Sequence, residues 1–141
     1  MNTKQATFRD QFSRLRPSRV TMVFSRCNLE ELAMTARSAH GGVGEIAWAR
    51  IADAAALTGA CNFIDYAVIP PGASIGRHRH ADSEEELYLV LEGTGELWRD
   101  GDHLAVRAGD VIRNRPGGEH GLVNTGAGSL RLFVIEVRVV S

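Results

Sequence analysis

Two histidines and a run of glutamates stand directly before an apolar segment in the sequence GRHRHADSEEELYLVLEG, residues 76–93. His78 and His80 are separated by one residue, so on a β-strand both imidazoles leave the same face, at a distance that one cation could span. On the strand that follows, Glu86 shares its face with Tyr88. An ionised carboxylate in such a place is costly to bury unless a partner compensates its charge. Two imidazoles and a carboxylate form a ligand set that a borderline divalent metal accepts.

A third imidazole follows in RPGGEHGLVN, residues 115–124. His120 comes after a Pro-Gly-Gly turn, at the start of a predicted strand on which Leu122 and Asn124 share its face. Antiparallel pairing of this strand with the strand of His78 would bring the three imidazoles side by side. The sequence alone does not show that the two segments meet.

The composition limits the partners of the chain. Its 141 residues fit one domain, and 44% are hydrophobic and 23% charged, as in ordinary globular proteins. The net charge of −1 gives no reason to expect nucleic acid or an anionic membrane as a partner. No apolar run approaches the ~20 residues that span a bilayer, and the first residues lack the apolar core of a signal peptide. We therefore expect a cytoplasmic protein.

Short apolar runs separated by turn residues dominate the chain after residue 60. Strands at this spacing, without room for crossover helices, predict a single antiparallel β domain that forms a sandwich or a barrel. The Asp-Gly pair at 100–101 predicts a tight type I′ hairpin. The elements predicted before residue 70 are a loose arm or short helix over 1–18, strands over 20–24, 45–51 and 61–69, one or two helical turns over 28–34, and a helix-like or loop insertion over 52–60.

Both histidine segments match sequence motifs of the cupins, and the chain resembles this family over roughly residues 60–138. The first cupin motif reads G, five residues, H-x-H, three or four residues, E, six residues, G. Its positions are taken here by Gly72, His78, His80, Glu86 and Gly93. The second motif reads G, five residues, P-x-G, two residues, H, three residues, N. Its overall spacing is matched by Gly109, His120 and Asn124, with Pro116 and Gly118 in its turn.

The chain departs from these motifs in two places. Five residues, rather than three or four, separate His80 from Glu86. Glu85 would restore a spacing of four, but the closing glycine of the motif would then be displaced by one residue. We take Glu86 as the carboxylate because of its strand face, and Glu85 stays the alternative. The proline of the second motif lies one residue late, which alters only the turn.

The resemblance implies an all-β double-stranded β-helix, the jelly-roll barrel of the cupins. It divides the chain into a short N-terminal arm over 1–18 and one cupin domain over 19–141, with the motifs at 72–93 and 109–124. It also implies one divalent transition-metal ion, which could be Fe, Mn, Ni or Zn because imidazole suits many such metals. The implied metal ligands are His78, His80, Glu86 and His120.

The function that the resemblance implies is a metal-dependent enzyme acting on a small oxygenated organic substrate, as a dioxygenase, an isomerase, a lyase or a polyketide cyclase. Glu86 is then a ligand or the general base, and Tyr88 is the candidate proton donor. The alternatives are a non-catalytic small-molecule-binding or sensor cupin, and a barrel that keeps its histidines only for packing. The resemblance also implies a homodimer formed through edge strands, for which residues 130–140 and 20–24 are candidates.

Several other polar residues have a plainer interpretation. We expect His40 and His103 to be exposed or hydrogen-bonded, with a minor rim role open to His40. Glu84 is expected in a solvated acidic loop with Glu85. Arg113 and Arg115 are interpreted as exposed, although they could meet an anionic substrate, and Asn124 is expected to hold a strand or loop through its amide.

Overall fold

The computed structural model describes residues 25–140, which contain ten β-strands and one short 3₁₀ helix, Leu29–Glu31. The strands are β1 (Thr35–Arg37), β2 (Ile46–Asp53), β3 (Cys61–Ile69), β4 (Ser74–Arg79), β5 (Glu84–Glu92), β6 (Thr94–Arg99), β7 (Asp102–Arg107), β8 (Val111–Asn114), β9 (Glu119–Asn124) and β10 (Leu130–Arg138). The predicted arm over 1–18, the domain boundary at residue 19 and the predicted strand over 20–24 lie outside the described residues.

The strands form two antiparallel sheets. One has six strands in the order β1-β2-β3-β10-β5-β8, and the other has four in the order β4-β9-β6-β7. Side chains from both sheets meet in one apolar core, which includes Ile69 and Leu132 from the larger sheet and Leu97 and Leu122 from the smaller. This architecture confirms the predicted all-β jelly roll. No helix in the described part of the chain is long and apolar enough to cross a bilayer.

Turns join the strands much as the residue types predict. Asp100 and Gly101 both have positive φ, 50° and 94°, which is the geometry of the predicted type I′ hairpin between β6 and β7. The insertion predicted over 52–60 starts with the last two residues of β2 and continues as a loop rather than a helix. The Asp53 carboxylate accepts hydrogen bonds from the backbone amides of Ala55 and Ala56 where the strand ends. Over 28–34 the helical conformation is confined to the single 3₁₀ turn.

The prediction that the C-terminal strand forms a free edge is wrong. β10 lies between β3 and β5 and pairs with both along its length. Its long apolar run belongs to a central strand, buried on its inward face and partly exposed on its outward face, and not to an edge available to a second subunit. The strand edges within 25–140 belong to β1, β8, β4 and β7.

Candidate metal centre

The fold brings together the four side chains predicted as metal ligands. β4 and β9 pair so that His78 lies directly across from His120, while Glu86 enters from β5 of the other sheet. The ring centroids of His80 and His120 are 5.1 Å apart, and those of His78 and His120 are 4.4 Å apart. One candidate ligand atom from each of the four residues lies within 4.8 Å of the others. Ligands of one ion lie at most about 4.2 Å apart because metal–nitrogen bonds are about 2.1 Å, so small shifts would close the set around an ion.

The two adjacent glutamates of β5 point to opposite sides of the sheet. Glu86 is 5% exposed, and its Oε1 lies 3.0 Å from Nε2 of His120. Glu85 faces outward, where it pairs with the guanidinium of Arg113. Because side chains alternate along a strand, Glu86 is the residue whose carboxylate points inward, although it lies one residue further from His80 than the cupin motif specifies.

Unpaired polar atoms in this cluster show that a cation would fit it. Nε2 of His80 is buried and has no hydrogen-bond partner among the described residues, since Glu86 Oε1 is 3.5 Å away. The amide of Asn114, directly across from Glu86 on β8, is also buried without a described partner. A buried polar atom without a partner is unfavourable by about 1–3 kcal/mol. An ion that takes the place of the Nε2 proton of His80 would remove part of that penalty.

The protonation state of His78 is also the one that a metal ligand needs. Its Nδ1 lies 2.9 Å from the carbonyl oxygen of Gly76, and because a carbonyl only accepts, Nδ1 carries the proton. Nε2 is therefore left with a free lone pair. Burial is the main reason why the pKa of His78 falls to about 4, so the ring is neutral at physiological pH. Neutral imidazole is the form that binds metals.

Two further carboxylates face His80 on the side of its ring opposite Glu86. Glu136 of β10 places Oε2 3.2 Å from Nδ1 of His80, and Glu84 lies 3.6 Å from the same nitrogen. Glu136 above all, and then Glu86, raises the pKa of His80 well above its usual range, although burial opposes them. Burial alone would raise the pKa of Glu86, but the His120 and His80 rings lower it, so this carboxylate stays ionised. The centre thus holds an excess of negative charge that a dication would neutralise.

Glu136 and Glu84 were not predicted as part of the site. The expectation of a solvated acidic loop is wrong, because Glu84 and Glu85 belong to β5. Glu136 is buried, and its second oxygen accepts a hydrogen bond of 3.0 Å from the amide of Asn62. The sequence could have indicated Glu136. It occupies every second position of β10 together with the buried apolar residues, and a charge there is unfavourable unless it has a partner.

Two further residues support the centre. Tyr88 is 2% exposed, and its hydroxyl lies 3.1 Å from Nε2 of His120. Burial raises the pKa of Tyr88 far above its ordinary value, so the hydroxyl keeps its proton. Asn124 holds the adjacent loops as predicted, because its amide donates to the carbonyl oxygens of Ile69 at 2.7 Å and Gly128 at 2.8 Å.

A pocket of about 370 Å³ opens above the four candidate ligands. Its wall on the larger sheet carries the aromatic rings of Trp48 and Phe63 and the guanidinium groups of Arg37 and Arg50. Arg113 and Arg115 lie elsewhere, in a shallow surface cleft, and pair with Glu85 and Asp100. Their exposure agrees with the plainer interpretation of both residues.

Comparisons with known proteins agree with this architecture. Residues 65–136, which are 72 of the 141, match the model of the cupin domain family. The chain belongs to the cupin family. This cupin is 32% identical to the oxalate-binding protein of Thermotoga maritima over 96 residues, which are 68% of this cupin and 78% of that relative.

Solved structures of other cupins superpose on this one. The crystal structure of a predicted oxalate decarboxylase from Thermotoga maritima has a TM-score of 0.76 at 28% identity, covering 79% of this cupin and 97% of that chain. KdgF from Halomonas sp. has a TM-score of 0.61 at 19% identity, covering 79% of this cupin and 92% of that chain. The second likeness concerns the fold alone.

His40 lies closer to the candidate metal centre of this cupin than we expected. Its ring stacks on His78 with a centroid distance of 3.7 Å and an angle of 7° between the planes, and it lines the pocket. The loop that carries it is held by a hydrogen bond of 2.9 Å from the amide of Gly76 to the carbonyl of Ala39. The glycine-rich sequence after His40 shows that a loop is present, but the contact with His78 depends on how that loop packs against β4.

Gly76→Ala is expected to destabilise this cupin by about 2–3 kcal/mol and to displace the His40 loop. A Cβ atom at residue 76 would lie 2.1 Å from the backbone oxygen of His40, a contact that only backbone movement can relieve. Thermal or denaturant unfolding measures the change. Gly128→Ala is the matched control, because nothing lies within 4 Å of its Cβ position, and equal stability of the two variants would contradict the prediction.

Proposed function

We propose that this cupin binds one divalent transition-metal ion and acts there as an enzyme on a small oxygenated carboxylate. The ligands would be His78, His80, Glu86 and His120. The observation that carries the proposal is Nε2 of His80, a buried nitrogen without a described partner at the place where the other three ligand atoms converge. Neutral imidazole at His78 and the surplus of carboxylates around His80 support the same conclusion.

The residues of the pocket fit a carboxylate ligand. When bound, the divalent ion would supply Lewis-acid polarisation of substrate oxygens, and iron or manganese would add redox chemistry. The Tyr88 hydroxyl keeps its proton and would donate a hydrogen bond to a substrate oxygen. We assign Glu86 to the ligand role, because the neighbouring His120 and His80 keep its carboxylate ionised and fix its position. Trp48 and Phe63 reduce the access of water to the substrate.

The substrate class follows from the relatives. The names found in Thermotoga maritima are an oxalate-binding protein and a predicted oxalate decarboxylase, so we propose that this cupin accepts oxalate or an acid with the same pair of adjacent oxygens.

Elemental analysis joined to calorimetry tests this proposal. We expect about one equivalent of Fe, Mn, Ni or Zn in the purified protein, and oxalate binding by the metal-loaded protein that disappears when a chelator removes the ion. Turnover of oxalate, measured with and without oxygen, then tests the enzyme. The proposal fails if the protein neither retains nor takes up a metal, or if oxalate binds equally well after chelation.

A second candidate is a protein that binds its carboxylate without converting it. Two observations favour this alternative: the relative at 32% identity is named for binding oxalate, and the buried Tyr88 hydroxyl already lies 3.1 Å from Nε2 of His120. Metal-dependent oxalate binding without turnover under any oxygen condition would select it. The homodimer and the cytoplasmic location stay predictions from the sequence.

A further inference from the structure

Arginine and aromatic side chains alternate along one side of the pocket. We call Trp48, Arg50 and Phe63 the aromatic wall. The Arg50 guanidinium contacts both rings, with its carbon 4.3 Å from the Phe63 ring centroid and 5.5 Å from that of Trp48. The guanidinium carbon of Arg37 lies 4.7 Å from the Trp48 centroid. Each contact is a cation–π interaction, which holds the planar groups close to the rings.

A buried carboxylate fixes the aromatic wall. Asp65 accepts hydrogen bonds from Nε and Nη2 of Arg50 at 2.8 and 3.0 Å, and from the indole nitrogen of Trp48 at 3.0 Å. The charge of Arg50 is therefore neutralised by Asp65, and its bidentate geometry is already complete. Together with Asp65, the aromatic wall is a preformed surface without net charge, on which the rings of Trp48 and Phe63 are the apolar parts.

Arg37 differs from Arg50 because its charge is not neutralised in this way. Among residues 25–140, no carboxylate lies within salt-bridge distance of Arg37, although its side chain lines the pocket. In the register of β1 and β2 it pairs with Ile46, so it lies on the same face as Trp48 and Arg50, exposed at the rim of the pocket. Trp48 covers one side of the guanidinium and leaves its N–H donors available to a ligand.

The size of the pocket points to a ligand larger than oxalate. At about 370 Å³ it falls within the range of roughly 300–1,000 Å³ that is typical of pockets for drug-sized molecules. An oxalate ion at the metal would leave the apolar surfaces of Trp48, Phe63 and Val134 in contact with water. Filling that space with an apolar group is favourable, because it removes those surfaces from water.

We infer that Arg37 binds a second anionic group of the substrate, which is a carboxylate with an aromatic or apolar body between that group and its metal-binding oxygens. The body would pack on the aromatic wall, and the second carboxylate would receive the N–H donors of Arg37. The inference rests on the proposed function and narrows its substrate class. Oxalate then represents only the metal-binding end of the natural ligand.

Calorimetry with matched probes tests this inference on the metal-loaded protein. Phenylglyoxylate offers the metal-binding oxygens and an aromatic body, and 4-carboxyphenylglyoxylate adds the second carboxylate. We expect the wild-type protein to bind the second probe about 10- to 100-fold more tightly than the first, as is typical of a hydrogen bond to a charged group. Arg37→Gln should remove this preference and leave oxalate affinity within about twofold of the wild type. Arg107→Gln, on the outside of β7, is the control and should change neither.

The outcomes separate the inference from the proposed function. If the wild type binds both aromatic probes equally, or if Arg37→Gln weakens oxalate as much as the dianionic probe, the inference is wrong while metal-dependent carboxylate binding stands. If the metal-loaded wild type binds neither oxalate nor the probes, the proposed function itself is wrong. Unfolding temperatures of the two arginine variants confirm that both retain the fold.

Discussion

Glu86→Gln is expected to lower the affinity for divalent metal by more than about 100-fold, because replacing a ligand should exceed the 10- to 100-fold effect of its outer partners. The substitution keeps the shape of the side chain but removes the charged oxygen donor that faces His120 and His80. It also removes negative charge from a buried site where a dication must be compensated. Competition with a chromophoric chelator measures the affinity.

Glu85→Gln is the matched control for this measurement. The two residues are adjacent on β5 and chemically identical, but Glu85 lies on the outer face with Arg113. An exposed ion pair contributes about 0–1 kcal/mol, so the control should bind metal like the wild type. A larger loss at Glu85 than at Glu86 would overturn the assignment of the carboxylate ligand.

Glu136→Gln is expected to lower the metal affinity about 10- to 100-fold without removing a ligand. Its carboxylate holds Nδ1–H of His80, which directs Nε2 of that ring towards the other three ligands. An amide in its place is a weaker acceptor and allows the ring to rotate. Chelator competition gives the affinity, and the absorption spectrum of the Co²⁺-loaded protein reports the altered ligand field.

A partial return of affinity in Glu136→Asp would show that the charge, rather than packing, positions His80. Glu96→Gln serves as the control, because it removes a similar contact, 2.7 Å from Nδ1 of His103, at an exposed place. If Glu136→Gln changes the unfolding temperature but neither the metal affinity nor the Co²⁺ spectrum, Glu136 has only a structural role.

The alternation of strands made much of this fold predictable. His78 and His80 share a face, Glu86 shares one with Tyr88, and the described strands after residue 60, apart from β4, coincide with the apolar runs. These features depend on neighbours in the sequence, so periodicity predicts them. The Asp-Gly hairpin after β6 is equally local, because two residues determine its geometry.

Contacts between distant segments could not be predicted in the same way. Glu136 reaches His80 only because β10 pairs with β5, and His40 reaches His78 only because its loop packs on β4. No local pattern gives the order of strands in a sheet, which is also why β10 was mistaken for an edge. The second cupin motif was the one long-range signal available, and it located His120 through resemblance rather than periodicity.

The central position of β10 has a consequence for how the protein reaches its native state. β3 and β5 are both made before β10, yet each needs that strand to complete its hydrogen bonds. On the ribosome, the larger sheet must therefore wait until residues 130–138 have left the exit tunnel. Because Glu136 belongs to the same strand, it can orient His80 only after β10 has joined the sheet, and tight metal binding should therefore follow that step.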